Sequence, residues 1–555
     1  MPIRVKEEPY VLEGRIVTMD EERRVLDDGA LYIRNGLIEA VRSTSEPTPQ
    51  GFESAPRVRT GDTLLPGMIE LHNHLAYNAI PLWQIPELYE HNGSWRGTDE
   101  AREAVSKPAE VLARTPGVVE ALVRYAECRC LLGGVTTSQG ITLSSSPGIQ
   151  TYFEGLVRNV EKSGGEGLPG ADTRIANPET GGAADYLDRL RGMTCRLQHL
   201  SEGLGETPRA WFLRLQLPDG DWAVTDAFCG IHSTALTGED FELIAARGGS
   251  VVWSPLSNYL LYGETTDLPS MQEAGVLISL GSDWSPSGSK NLLGELKVAR
   301  VVSDILGGDD PLLSAEELVS MVTINPARIC KWSSMLGSLE DGKLADVIAI
   351  NGMSGDPYQS LLDARETSIT LVVINGVPRV GQNRLMAQFE PIGDHEEITV
   401  GSSNRLLDLS PIEAPDPLGG LTLVDAKERL TTTLADLPAV ARDLDRGAVP
   451  EGFVAQWDSV SDMPQPEALA RAATVPRWTV KLDFAEEDAA LRPFDDRELA
   501  DWVKPMVFED LTVADHPGFL RSIVNARNVP HLVKAGIVAA YGSDLVVPTE
   551  AREEV

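Results

Sequence analysis

An α/β fold is predicted for this 555-residue chain. It comprises a (β/α)8 TIM barrel over residues 63–336, a small β-sandwich domain built from the two flanking segments, 1–62 and 337–386, and a C-terminal extension, 387–555, expected to be mainly helical. Three observations predict this. The middle alternates short apolar runs with helical periodicity, the pattern of parallel strands joined by helical crossovers. Its span of about 250 residues is the usual size of an eight-fold βα barrel. β-rich segments with one turn grammar stand on both sides of it.

The leading flank reads as strands over Gly14-Arg15-Ile16-Val17-Thr18-Met19, Ala30-Leu31-Tyr32-Ile33-Arg34 and Leu37-Ile38-Glu39-Ala40-Val41. Asn35-Gly36 between the last two is a strong hairpin signal. The grammar returns at Ala345-Asp346-Val347-Ile348-Ala349-Ile350-Asn351-Gly352 and Ile369-Thr370-Leu371-Val372-Val373-Ile374-Asn375-Gly376-Val377. In the middle, one apolar run leads through a Pro66-Gly67 turn to His72-Asn73-His74. Further strands are expected at Gly134–Thr137, before Gln139, and in runs closing at His199, His232, Ser254 and Asp283. Helices are expected over 117–131 and 237–246, the second capped by Thr237 with Asp240 as its reciprocal acid. Beyond 386 come a Pro- and Asp-rich stretch, Ile412–Gly420, and helix-like runs over 424–445. The extension holds no chemical motif, and His516 and His531 stand there singly.

Composition bounds the function. The 83 acidic against 48 basic residues give a formal charge of −35, which repels nucleic-acid backbones and anionic membrane surfaces. No apolar stretch reaches the length of a membrane span. The amino terminus carries no apolar core with a small-residue cleavage site, so a cytoplasmic location is the expectation. Five cysteines without a Cys-x-x-Cys pair suggest neither a zinc knuckle nor a redox centre.

In an extended strand, residues i and i+2 share a face, so His72 and His74 can converge on one ion. Residues of metal-binding type close four expected strands: His72 with His74, His199, His232 and Asp283. Active sites of βα barrels lie at that end of the strands. Glu202 follows His199 by three positions and would face away in a straight strand. It must therefore lie where the chain has bent, within reach of a substrate bound over His199.

The motifs Pro66-Gly67-Met68-Ile69-Glu70-Leu71-His72-Asn73-His74, Gly133-Gly134-Val135-Thr136-Thr137, His199-Leu200-Ser201-Glu202, Gly230-Ile231-His232, Trp253-Ser254-Pro255-Leu256-Ser257-Asn258, Gly281-Ser282-Asp283, Asn325-Pro326-Ala327 and Leu336–Asp346 occur in this order. Together they resemble the amidohydrolase superfamily, in particular its cytosine deaminase-like and triazine-hydrolase-like branch. The resemblance covers residues 10–380 and implies a barrel with a sandwich made from both flanks. It implies that His72, His74, His199 and Asp283 hold one divalent ion. Glu202 would then be the proton shuttle, His232 would position water or substrate, and Asp283 would also accept a proton. Nitrogen-rich ligation with one carboxylate suits zinc, with iron or manganese as alternatives. The sole lysine between Thr137 and His199, Lys162, lies in a glycine-rich polar run that does not read as a strand, which favours one ion over a lysine-bridged pair.

The substrate is expected to be a small molecule facing Tyr77, Asn78, Trp83, Gln139, Asn258, Trp284 and Ser285. The leading expectation is hydrolysis of a non-peptide carbon-nitrogen bond in a cyclic amine, amidine or amide, foremost deamination. The alternatives are an amidase or dehalogenating hydrolase at the same centre, or an inactive barrel serving binding or assembly. A homo-oligomer is compatible with the extension.

Overall fold

The computed structural model describes residues 2–5, 8–140, 155–178, 180–411, 418–446 and 497–548. Ile412–Pro417 of the Pro- and Asp-rich stretch, and residues 447–496, lie outside these. The chain opens with β1 (Tyr10–Val17), β2 (Val25–Arg34), β3 (Leu37–Ser43) and β4 (Arg57–Pro66). Asn35 and Gly36 turn β2 into β3 at φ 51° and 78°, left-handed values that these two residue types adopt readily.

Eight short parallel strands follow. β5 (Met68–Glu70), β6 (Val135–Ser138) and β7 (Arg158–Asn159) form an arc of three. β8 (Asp172–Arg174), β9 (Arg196–Leu200), β10 (Phe228–His232), β11 (Ser250–Trp253) and β12 (Leu277–Leu280) form an arc of five. Backbone hydrogen bonds also link the two sheets. Beyond β7, Ala171 N–H donates to the Val160 carbonyl at 3.0 Å. Beyond β5, Asn73 and Asp283 form a parallel bridge, with Asp283 N–H on the His72 carbonyl at 3.0 Å and His74 N–H on the Asp283 carbonyl at 3.1 Å. The last seam aligns two metal-type side chains through the backbone itself. Helices cover the outside, among them Val118–Leu132 and Gly238–Ala246, where Asp240 accepts from Thr237 N–H at 3.0 Å.

The chain then returns to its first sheet through β13 (Val347–Ile350), β14 (Ile369–Ile374), β15 (Val377–Gln382), β16 (His395–Val400) and β17 (Ser403–Asp408). Nine strands run in the order β16-β17-β15-β14-β13-β4-β1-β2-β3. The central pairing of β4 with β13 joins sequence-distant flanks, Leu65 facing Ile348. The hairpin β16–β17 lies in the segment expected to be mainly helical: it covers the open side of β15, and its outer strand is blunted by His395, Glu396 and Glu397.

The rest of the described extension packs on the parallel-strand unit. Leu423–Ala435 lies against Val118–Leu132, where buried Arg124 donates to the Leu421 carbonyl at 2.8 Å. His531–Ala540 lies along Leu292–Gly307. Among the described residues no helix is long and apolar enough to cross a membrane.

Candidate active site

The carboxyl ends of β5, β9, β10 and β12 bring His72, His74, His199, His232 and Asp283 into one buried cluster. Its dimensions are those of a metal centre. His72 Nε2 lies 3.1 Å from His199 Nε2 and 3.3 Å from Asp283 Oδ1, and His74 Nε2 lies 3.3 Å from the same oxygen. His72, His199 and His232 form one set, and His72, His74 and Asp283 another, each with its ligand atoms within 4.8 Å of one another. Gly281 makes the crowding feasible: a Cβ there would collide with the His72 side chain and carbonyl.

Hydrogen bonds orient the rings. His199 Nδ1 lies 3.2 Å from the Arg174 carbonyl, an acceptor only, so it carries the proton and Nε2 turns a lone pair inward. His72 Nδ1 pairs with Ser254 Oγ at 2.7 Å. Burial, reinforced by the neighbouring imidazoles, holds His72 and His199 well below the usual histidine range. Burial likewise brings His74 down to about 3. Neutral rings with convergent lone pairs fit a cation. Burial, with the charge of Glu202 adding to it, raises the Asp283 carboxyl, a tendency that a dication beside it reverses. Ser257 Oγ donates to Asp283 Oδ2 at 2.7 Å and leaves Oδ1 facing His72 and His74.

Glu202 stands across the pocket. Ser201 takes φ 48° immediately after β9, and this kink swings Glu202 to the same side as His199. Tyr262 Oη donates to Glu202 Oε1 at 2.6 Å, and Asn92 Nδ2 donates to Oε2 at 3.0 Å, with Arg96 at 3.4 Å. Burial opposes ionisation of Glu202, yet His232, Arg96 and these hydrogen bonds hold its carboxyl below the ordinary glutamate value. His232 Nε2 lies 4.0 Å from both Glu202 Oε1 and Asp283 Oδ2. Asn258 Oδ1 faces His232 Nδ1 at 2.9 Å, while the Asn258 amide group donates to Thr265 and Thr266. His232 and Asp283 adopt φ 65° and 59°, left-handed conformations that are costly away from glycine and that cluster at functional sites.

The pocket over this cluster is lined by His74, Trp95, Arg96, His199, Glu202, His232, Leu261, Asp283 and Trp284. Of the seven residues expected to face substrate, Trp284 lines it and six do not. Asn78 and Ser285 have their polar groups engaged in the scaffold instead, and Gln139 is tied to it through Oε1 alone, its amide nitrogen being buried without a partner among the described residues. Asn78 donates to Asn73 at 3.0 Å, Ser285 and the Asn78 carbonyl bond buried Arg129, and Gln139 Oε1 accepts from Asn73 N–H at 2.7 Å. Asn258 orients His232. Tyr77 packs edge-on against Trp284 at 5.3 Å, and Trp83 packs on Tyr89 at 6.0 Å. Sequence reasoning missed Asn92, Trp95, Arg96, Leu261 and Tyr262. Tyr262 had a signal, since it stands one helical turn after Asn258 on Pro255–Tyr262. Glu70 clamps the seam, accepting from Ser282 N–H and from Asn73 Nδ2, each at 2.9 Å.

Comparison with known proteins agrees with this arrangement. The Amidohydrolase family profile matches residues 183–379. A protein of Teredinibacter turnerae named 5-methylthioadenosine/S-adenosylhomocysteine deaminase is 24% identical over 368 residues, covering 60% of this chain and 82% of its own length. A protein of the same name from Moorella thermoacetica is 24% identical over 393 residues, covering 63% and 90%. Two solved structures share the fold. A zinc-bound adenosine deaminase from Xanthomonas campestris superposes with a TM-score of 0.50 at 20% identity, covering 68% of this chain and 94% of its own. An atrazine chlorohydrolase from Arthrobacter aurescens, complexed with zinc, gives 0.53 at 18% identity, covering 69% and 97%. With its ordered motifs and its histidine-aspartate cluster at the strand ends, the chain is similar to the amidohydrolases, whose family profile it matches over residues 183–379.

Proposed function

We propose that this protein is a metal-dependent aminohydrolase that releases ammonia from a small ring-borne amine or amidine, and that its eight parallel strands close as one barrel around the site. The observation that carries the reading is the meeting of three inward-facing imidazoles and Asp283 with Glu202, held by Tyr262, Asn92 and Arg96, in one buried pocket. The names of the relatives support deamination.

His72, His74, His199 and Asp283 would hold one divalent ion, and zinc is supported by the nitrogen-rich donors and by the zinc in two structures of the same fold. Bound there, such an ion lowers the pKa of water to about 7 and so supplies a nucleophile at neutral pH. The chain's residues govern the remainder. Glu202 takes up a proton from the attacking water at its carboxylate and returns it to the departing nitrogen, which leaves as ammonia while the carbon gains oxygen. His232 presents Nε2 between Glu202 and Asp283 and steers the ring carbon's substituent. Trp95, Trp284 and Leu261 exclude water and offer flat apolar walls.

The test is ammonia release from a panel of aminated heterocycles by the metal-loaded protein, with halogenated and amide analogues alongside. Glu202→Gln is expected to lower kcat about 10²–10⁴-fold with the bound ion retained. Full turnover in the variant removes Glu202 from its role. Chloride release without ammonia transfers the reading to carbon-halogen hydrolysis.

A further inference from the structure

The C-terminal segment reaches the rim of the pocket from outside. Asn528 Nδ2 donates to the Glu87 carbonyl at 2.9 Å and to the Leu260 carbonyl at 2.8 Å. The carbonyls lie on the two segments that hold Glu202. Glu87 precedes Asn92, the donor to Glu202 Oε2, in the loop that follows β5 and His74. Leu260 precedes Tyr262, the donor to Oε1, on the helix that follows β11. Between these points the segments are already in register, with Tyr89 N–H on the Leu261 carbonyl at 3.0 Å, Leu204 N–H on the Glu90 carbonyl at 2.7 Å and Asn92 N–H on the Glu202 carbonyl at 3.1 Å. Gly203, at φ 139°, permits this approach, because a Cβ there would strike the Glu90 carbonyl and His91.

We propose that Asn528 is a positioning residue for Glu202. Its primary amide gives one N–H to each of two strips of backbone and so fixes the distance between the Asn92 and Tyr262 side chains that grip the two carboxylate oxygens. No other neutral side chain of that length offers two hydrogens from one nitrogen. A carboxylate of the same shape accepts only and would face two carbonyls. Neighbouring ties act in the same sense: Arg527 donates to the Pro86 carbonyl at 3.4 Å, and Glu509 Oε1 accepts from Leu82 N–H at 3.2 Å. The extension is therefore a working part of the site although it supplies no lining residue. This rests on the reading of Glu202 as the proton shuttle.

The experiment compares the full-length, metal-loaded protein with Asn528→Ala and Asn528→Asp by hydrogen exchange, metal analysis and steady-state ammonia release. The expected result is amide exchange at least about tenfold faster across residues 82–92 and 258–263, with β9 to β12 unchanged. Metal content stays at the wild-type level, and kcat falls about 10–100-fold at nearly constant KM, as expected when a reacting group is misplaced. Asn528→Asp is the more severe variant, since it repels where alanine merely lets go. Wild-type exchange over 82–92 in both variants overturns the proposal, as does loosening of that segment with kcat unchanged. If the wild-type protein releases no ammonia from any substrate, the functional reading fails while the exchange result still decides whether Asn528 holds the two segments together.

Discussion

The ligand cluster and the pocket wall facing it are built in opposite ways. His72, His199, His232 and Asp283 sit at or just past the ends of short buried strands, and backbone bonds across the β5–β12 seam place them. The wall formed by Trp95, Arg96 and Leu261 rests on a long loop and a helix that meet directly at Tyr89 and Leu261 and are braced from outside by side chains from residues 509–528. The first construction is local in space and resistant to single losses of packing. The second depends on a few long-range polar ties, so it can be loosened without disturbing the ligands.

The comparison breaks most sharply at His72, which both ligand triads share. Replacing it with alanine is expected to remove the bound ion and with it all hydrolysis, while the fold survives, because the neighbouring strand pairs do not involve its side chain. Elemental analysis should show about one ion per wild-type chain, the stoichiometry of a site with three to four protein ligands, and none in the variant. Two ions per wild-type chain would mean that ligands outside these triads hold the second, since His72 Nε2 has one lone pair and is shared by both sets.

The asymmetry also explains what the sequence discloses. Strand-end ligands are legible because an apolar run, a period of two and a residue of metal-binding type are short-range patterns. Glu202 was legible because its odd spacing from His199 demands a bend, and Ser201 supplies it with a left-handed φ. Asn35-Gly36 declared its hairpin, and a shared sheet was expected from the two β-rich flanks, although Leu65, which pairs with Ile348, was assigned to the barrel. Trp95 and Arg96 were hidden, since nothing in the run after His74 says how far that loop folds back. Asn78, Ser285 and Gln139 were misplaced for a related reason: nearness to a ligand in sequence does not reveal that buried Arg129 and the Asn73 backbone engage them. The β16–β17 hairpin was obscured by its charged alternation, which suits an outer strand and a solvated helix equally.

A second break concerns the wall alone. Glu509 pairs with Lys290 Nζ at 2.6 Å, and both are largely buried, at 13% and 2% side-chain exposure. Glu509→Ala leaves Lys290 without its carboxylate and Leu82 N–H without its acceptor. A loss of about 3–5 kcal/mol in chemical denaturation follows, the usual result of removing one partner of a buried pair. Acid reproduces part of it. Burial raises the Glu509 carboxyl, but Lys290 outweighs this and holds it below the ordinary 4.5. The folded chain thus binds that proton less tightly than the unfolded chain, so the contribution is complete above about 4.5 and vanishes as pH falls through the lower folded value. Burial brings Lys290 down from 10.5 to about 8 even beside Glu509, so its own titration favours the fold as pH rises between those values. The gap between wild-type and variant stability should therefore close on the acid side. A gap that stays constant to low pH would show that lost packing, not the ion pair, accounts for the effect.

The smallest effect is expected where the extension meets the same loop region through solvent. Lys504 Nζ lies 2.5 Å from Glu103 Oε2, no farther than Lys290 lies from Glu509, yet the two side chains are 75% and 37% exposed. Water and salt screen such a pair, and holding two long side chains in one geometry consumes most of the attraction. Lys504→Ala should change stability by no more than about 1 kcal/mol, and raising the ionic strength should shrink that difference further. Hydrogen exchange across residues 82–92 should be unchanged in this variant. Where a tie is anchored, on the backbone of the pocket wall or on another exposed side chain, would then be what separates one that shapes the pocket from one that merely adorns the surface, and a Lys504→Ala protein that loosened the loop as Asn528→Asp does would erase the distinction.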